Sequence, residues 1–181
     1  MTGDESSAED PGASSGGDEP PTLVEGRATI DDVDGFLTRL GEIGDGHGAT
    51  VQAFDPGLLT GPDHLRLARD RADRSIDRGE NVARDRAVEI LLYAAGRRQI
   101  EDALELGVDA GEGPVVVLVD GGDEAAAAAA IEQLLDPGPV AYGDPDRLQA
   151  YFGVGRAERE ATDASLADLV HERVALLDVE K

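Results

Sequence analysis

The segment from Asn81 to Ile100, NVARDRAVEILLYAAGRRQI, constrains this chain more than any other. Polar, arginine-bearing residues lead into an apolar stretch, Val88–Ala95. Gly96 follows, then Arg97 and Arg98, then a helical pattern. Ile90, Leu91, Leu92 and Tyr93 are of types that proteins bury, so the fold has to put this stretch in its core. A short apolar run of this kind reads as a buried strand. Tyr93 is then a core residue rather than a stacking platform, and Glu89 reads as an exposed charge at the strand end.

The rest of the chain alternates around that run. Leu23–Ile30 reads as a strand. Asp31 or Asp32 caps a helix carrying Val33, Phe36, Leu37 and Leu40 at helical spacing. Gly41–Gly48 reads as a loop and Ala49–Asp55 as a strand. Pro62 suits the first turn of a helix reaching Arg78, with Gly79 as its stop. Val82–Arg86 reads as a short helical turn, and Arg97–Leu106 as a helix ended by Gly107. Val115–Val119 is a strand, and Asp123 caps a helix through Leu135. Asp144-Pro145 opens a short helix to Phe152, and Asp163 or Ser165 opens the last one, to Leu177. The expected fold class is α/β (α+β): one layered domain over residues 22–181, with a central sheet of about four strands flanked by helices. Met1–Pro21 is rich in Gly, Ser, Pro, Asp and Glu and cannot offset its ordering entropy, which predicts a disordered acidic tail.

Charge sets this region apart. The formal net charge is −23, with 39 acids against 16 bases, and all the bases but Lys181 are arginine. Excess carboxylate with almost no lysine fits a halophilic protein in a high-salt cytoplasm, where the Debye length falls to about 3 Å at 1 M salt and self-repulsion is screened. The alternative is an acidic surface for a basic partner. Yet Arg66–Arg98 holds nine arginines against six acids, a balance of +3 that leaves −26 for everything else. A basic island in such a chain points to contact with a polyanion.

Within the island, Leu65, Ala68, Ala72 and Ile76 share one face of the Pro62–Arg78 helix. Arg71, Arg74 and Arg78 lie nearly opposite, beside Asp70, Asp73 and Asp77. That arginine row either faces phosphates or forms surface pairs such as Asp70–Arg74. Further on, Arg97 and Arg98 fall at the start of a predicted helix, where the macrodipole disfavours cations. An anion held there would relieve the conflict, and Gly96 would let it approach the backbone. Otherwise both side chains extend away and pair with Glu101, Asp102 or the acidic surface.

Other chemistry is thinly represented. The absence of cysteine excludes disulfides, thiolate zinc sites and cysteine nucleophiles. His47, His64 and His171 are too scattered for metal-ligand spacing and read as surface histidines, so no metal or cofactor is expected. GDGHG at Gly44–Gly48 lacks the lysine and hydroxyl residue of a P-loop. DGGDE at Asp120–Glu124 reads as a turn and cap. Ser75 and Ser165 have no nucleophile context, and no catalytic set emerges. No apolar run approaches the roughly 20 residues that span a bilayer, and the acidic N-terminus is not a secretory signal. A soluble cytoplasmic protein, not an enzyme and without a membrane partner, is expected.

Asn81-Val82-Ala83-Arg84, the run Val88–Gly96 and Arg98-Gln99-Ile100 together resemble the kinase-binding regulatory subunit of the archaeal KEOPS complex. Its eukaryotic relative is the binding protein of the p53-related protein kinase. VQAFD at Val51–Asp55, His64-Leu65 and the arginine helix are similar too. The resemblance covers roughly Leu23 to Ile131, with EILLYAAGxRQI as its specific part, and the C-terminal third agrees only in layout. It implies a non-catalytic subunit in the synthesis of N6-threonylcarbamoyladenosine (t6A) on tRNA. Such a subunit docks directly on the small kinase/ATPase, modulates it, reaches the transferase through it and binds the single-stranded 3′ CCA end of tRNA. On this reading the tRNA-binding residues are Asn81, Arg84, Arg86, Gly96, Arg97, Arg98 and Gln99, with Arg71, Arg74 and Arg78 on the helix before them. The kinase would meet Leu166, Leu169, Val170 and Val174 on the last helix. Two other readings stand beside it. One is an α/β enzyme or sensor holding a small phosphorylated ligand at a Gly96–Arg98 strand–helix junction. The other is an adaptor that bridges kinase and transferase without touching RNA.

Overall fold

A computed structural model describes residues 19–178. Most of the expected tail, residues 1–18, lies outside them. The described chain begins slightly before Thr22: Pro21 is already buried, and the backbone carbonyl of Glu19 accepts a hydrogen bond from Arg69 Nη2 at 2.9 Å.

The fold is mixed α/β, with a four-stranded antiparallel sheet flanked by helices. Strands β1 (Thr22–Ile30), β2 (Thr50–Phe54) and β3 (Gly111–Asp120) make most of it, with a short β4 (Asp136–Pro137) at one edge, in the order β2-β3-β1-β4. The alternation of β1 buries Val24, Gly26, Ala28 and Ile30 and exposes Glu25, Arg27 and Thr29. In the centre of the sheet, Val115–Asp120 of β3 are buried throughout, as the continuous apolar run requires. On one face, Val117 and Val119 pack with Leu40 of α1 (Val33–His47) and with Ala127 and Ile131 of α5 (Glu124–Glu132). On the other, Phe54, Val116 and Leu118 meet a helical layer of α2 (Pro62–Asp77), α3 (Arg86–Ala95), α6 (Pro145–Phe152) and α8 (Leu166–Leu176).

Four expectations are corrected. Val88–Ala95 is not a strand but the body of α3. Asp85 caps this helix, accepting from Ala87 N at 2.8 Å, and Gly96 ends it at φ 61°. All residues from Glu89 to Ala95 are buried, because α3 lies between α2, α8 and the sheet. A short helix covered on every side has no polar stripe, so its pattern matches that of a buried strand. Leucine, alanine and glutamate, all good helix formers, carried the distinguishing signal.

The fourth strand is instead β4, only Asp136–Pro137, paired with β1 at Gly26 and Arg27. Its proline sits at the sheet edge, where a missing N–H is tolerated. It takes residues just past the expected α5 terminus at Leu135, and α5 itself ends at Glu132. The expected loop Gly41–Gly48 is the second half of α1, which runs to His47 and stops at Gly48. Gly44 packs there against β2: a Cβ would lie 2.8 Å from the carbonyl oxygen of Ala49. Finally, the helix expected over Arg97–Leu106 shrinks to α4 (Ile100–Ala103) and a 3-10 turn at Leu104–Leu106, and α7 (Arg156–Glu160) was not expected at all.

No helix among the described residues is long and apolar enough to cross a membrane.

Candidate nucleic-acid interface

Helices α2 and α3 form an antiparallel hairpin, and cross-links at both ends show its sense. His64, in the first turn of α2, places Nε2 2.8 Å from the carbonyl oxygen of Ala94, in the last turn of α3. At the other end, Arg86 of α3 grips Asp73 of α2. The basic island is therefore divided. Arg74, Arg78 and Arg84 cluster by sequence at the α2–α3 turn, while Arg97 and Arg98 lie beyond the far end of α3. That helix has ten residues, so it is about 15 Å long.

Nine of the fifteen arginines engage other groups of the protein. Three of the expected tRNA contacts are among them. Arg86 donates to both carboxylate oxygens of Asp73 (2.7 and 2.8 Å), to Asp120 (2.5 Å) and to Thr50 Oγ1 (2.9 Å). Those bonds, foremost the one to Asp73, raise its pKa further above the ordinary arginine value. Arg71 pairs with Asp178 at 3.0 Å, and Asp178 also accepts from the hydroxyl of Tyr93. Arg97 donates to the carbonyl oxygen of Tyr151 and stacks its guanidinium 4.8 Å from that ring's centroid. These three arginines hold the fold together. Sequence alone missed their anchors, above all Asp120, which lies at the end of β3 and also faces the buried Arg69 at 3.5 Å.

The strand–helix junction expected at Gly96–Arg98 is corrected. The segment follows the C-terminus of a helix, not the end of a strand. Gly96 N–H donates to Tyr93 O and Arg97 N–H to Leu92 O, both at 3.1 Å, the Schellman pattern that closes a helix. Two of the backbone donors that an anion would have used are consumed. The macrodipole argument also reverses: cations just past the C-terminus of α3 are favourable and need no bound anion. The strand–helix junction on which the small-ligand reading rests is therefore the C-terminus of α3 instead.

Six arginines have no ion pair or side-chain hydrogen bond among the described residues: Arg39, Arg74, Arg78, Arg84, Arg98 and Arg159, all exposed. Arg74, Arg78 and Arg84 are the only close group in the sequence. Two of the acids on α2 do not neutralise them, since Asp70 contacts Arg69 at 2.8 Å and Asp73 is held by Arg86. Of the remaining expected contacts, Asn81 turns its amide onto Ala83 O at 2.8 Å, and Gln99 is exposed just before α4.

The expected kinase surface is largely inside. Leu169, Val170 and Val174 of α8 are buried, and Leu166 is half-buried against the same core. Two further expectations change in the same way. Glu89 is fully buried, where it accepts from the backbone N–H of Val82 (3.1 Å) and Ala83 (2.8 Å) and pins the loop before α3. His64 is also fully buried. Its Nδ1 accepts from Thr60 N at 3.1 Å, so its Nε2 carries the proton given to Ala94 O. Burial pushes His64 down to about 4, with the neighbouring His171 adding to the effect and the bond to Ala94 opposing it. His171 lies within 2.7 Å of Thr60 Oγ1 and is itself lowered by burial. Among the described residues, no group of three or more histidine, aspartate or glutamate side chains could hold a metal ion.

Neither a family model nor a curated protein matches this chain.

Proposed function

We propose that this chain is a non-catalytic, KEOPS-type regulatory subunit in t6A synthesis, binding the 3′ CCA end of tRNA and docking on the complex's small kinase. The observation that carries the RNA half is the arginine group Arg74, Arg78 and Arg84. In a chain of net charge −23 these three stay exposed and, among the described residues, unpaired, while most other arginines are engaged within the fold. Asp77 and Asp85 lie beside these arginines in the sequence without forming an ion pair with them among the described residues, and a phosphate ligand would supply a closer counter-charge. Arg98, also exposed and without a partner among the described residues, offers a second contact at the other end of α3. Single-stranded RNA would be held here by phosphate charge with hydrogen bonds to base edges. In high salt the phosphate share weakens through counterion competition, which leaves more to direct hydrogen bonds.

The kinase half rests on the resemblance of Asn81–Ile100 to that family. With most of the α8 apolar face occupied by the core, a kinase would need other exposed apolar groups. Ile100 and Leu104, one helical turn apart, are such a pair. The t6A pathway, the transferase contact and a high-salt cytoplasm belong to the same proposal.

The test is tRNA binding in high salt with and without the CCA end. Weaker binding of the truncated tRNA is expected, and equal binding would sink the RNA half. Co-purification of the kinase and transferase from the native host tests the other half. An adaptor that never touches RNA would bring down both enzymes and ignore tRNA.

A further inference from the structure

The exposed arginines have a second polyanion within reach, on the same chain. Residues 1–18 carry Asp4, Glu5, Glu9, Asp10 and Asp18 and no basic side chain. Their entry point is set by Arg69 of α2, which holds the carbonyl oxygen of Glu19 at 2.9 Å. The N-terminal segment therefore leaves the domain beside the helix that carries Arg74 and is capped by Arg78.

Those two arginines lie five and nine residues beyond Arg69, about 8 and 14 Å along the axis and about 140° and 180° around it. Gly- and Ser-rich chains span about 5–6 Å × √n, so 18 such residues reach about 21–25 Å, enough to cross a helix about 10–12 Å wide. Tethering at such range places the carboxylates near the arginines at millimolar effective concentration. Asp70 and Asp73 of α2 are held by Arg69 and Arg86, and Asp77 and Asp85, which lie beside the exposed group in the sequence, form no ion pair with it among the described residues.

We propose that the acidic N-terminal segment docks on Arg74, Arg78 and Arg84 and competes there with phosphate ligands. The regulatory consequence rests on the tRNA-binding reading, whereas the contact itself does not. A segment that covers the arginines nine-tenths of the time weakens RNA binding about tenfold. The contact loosens as salt rises, because the Debye length shrinks to about 3 Å near 1 M.

The chain has no cysteine, so Ser7→Cys places a single spin label in the intact protein. Paramagnetic broadening of backbone amides is expected over residues 74–84. It should fade at high KCl and in the combined variant Arg74→Gln, Arg78→Gln and Arg84→Gln. Absence of broadening there, or its persistence in the combined variant, overturns the contact. A second variant leaves the domain untouched: Asp4→Asn, Glu5→Gln, Glu9→Gln, Asp10→Asn and Asp18→Asn together. At low salt it should bind tRNA about tenfold more tightly than the parent, and equal binding overturns the competition. If neither protein binds tRNA while the broadening is present, the RNA reading fails and the contact stands.

Discussion

Arg86 holds Asp73 through two parallel hydrogen bonds of 2.7 and 2.8 Å, tying the first residue of α3 to α2 across thirteen positions of sequence. The same guanidinium reaches Asp120 at the end of β3. One side chain thus joins two helices and the sheet, and nothing in its local sequence separates it from the arginines that face solvent.

Replacing Arg86 should therefore act on stability first. Arg86→Met leaves the buried Asp120 with fewer partners and releases Asp73. The expected loss is about 2–3 kcal/mol, below the usual 3–5 for a fully buried pair because both Arg86 and Asp73 keep some solvent contact. Urea unfolding at fixed salt measures it. Arg86→Lys should recover only part, since an ammonium cannot match the bidentate geometry.

Arg74, Arg78 and Arg84 should behave the opposite way. Changing each to Gln should leave stability within about 0.5 kcal/mol, as for most surface substitutions. Affinity for tRNA should fall, and the slope of log K against log salt should flatten by about 0.7 for each single-strand phosphate contact removed. A salt titration of tRNA binding checks both. An unchanged slope in the triple variant would remove these arginines from the interface.

Gly96 answers to two constraints at once. Its φ of 61° is left-handed, and an added Cβ would lie 3.3 Å from the carbonyl oxygen of Arg173 on α8. Gly96→Ala should cost about 1–2 kcal/mol from backbone strain, with the close approach adding to it. Thermal unfolding should show a lowered midpoint with little change in helix content before the transition.

His64 makes stability depend on pH. Its ordinary pKa is 6.5, and in the fold it is about 4, chiefly through burial. Between those values the unfolded chain binds a proton that the folded chain refuses. Folding therefore weakens as pH falls from 6.5 toward 4, by up to about 3 kcal/mol, and is unaffected by this group above 6.5. Unfolding free energies measured from pH 7 to 5 should flatten in His64→Gln relative to the parent. Parallel curves would assign the pH dependence to other groups.

Features with local causes could be read before the fold was known. Asp144 capping α6, Ser165 capping α8, Pro62 opening α2 and the β-branched run of β3 each act within a few residues, so sequence proximity is spatial proximity. The mixed α/β class followed from their alternation. Asp85 and Gly96 bracket α3 with helix caps as plain as any of these, but full burial removed the amphipathic stripe that would have agreed with them.

The sequence by itself determined an acidic chain with one basic region, a core run at Val88–Ala95 and the bounds of α2, α6 and α8. Only the tertiary structure decided what each of those charges and apolar groups does. Arg71, Arg86 and Arg97 look like Arg74, Arg78 and Arg84 in the sequence, and Leu169, Val170 and Val174 look like any apolar helix face. They part company because Asp178, Asp73, Asp120 and Tyr151 are brought to the first set, and the core to the leucine and valines. An ion pair or a buried contact is made in space by residues far apart in the chain, and a charge is free for a partner only where the fold has left it one.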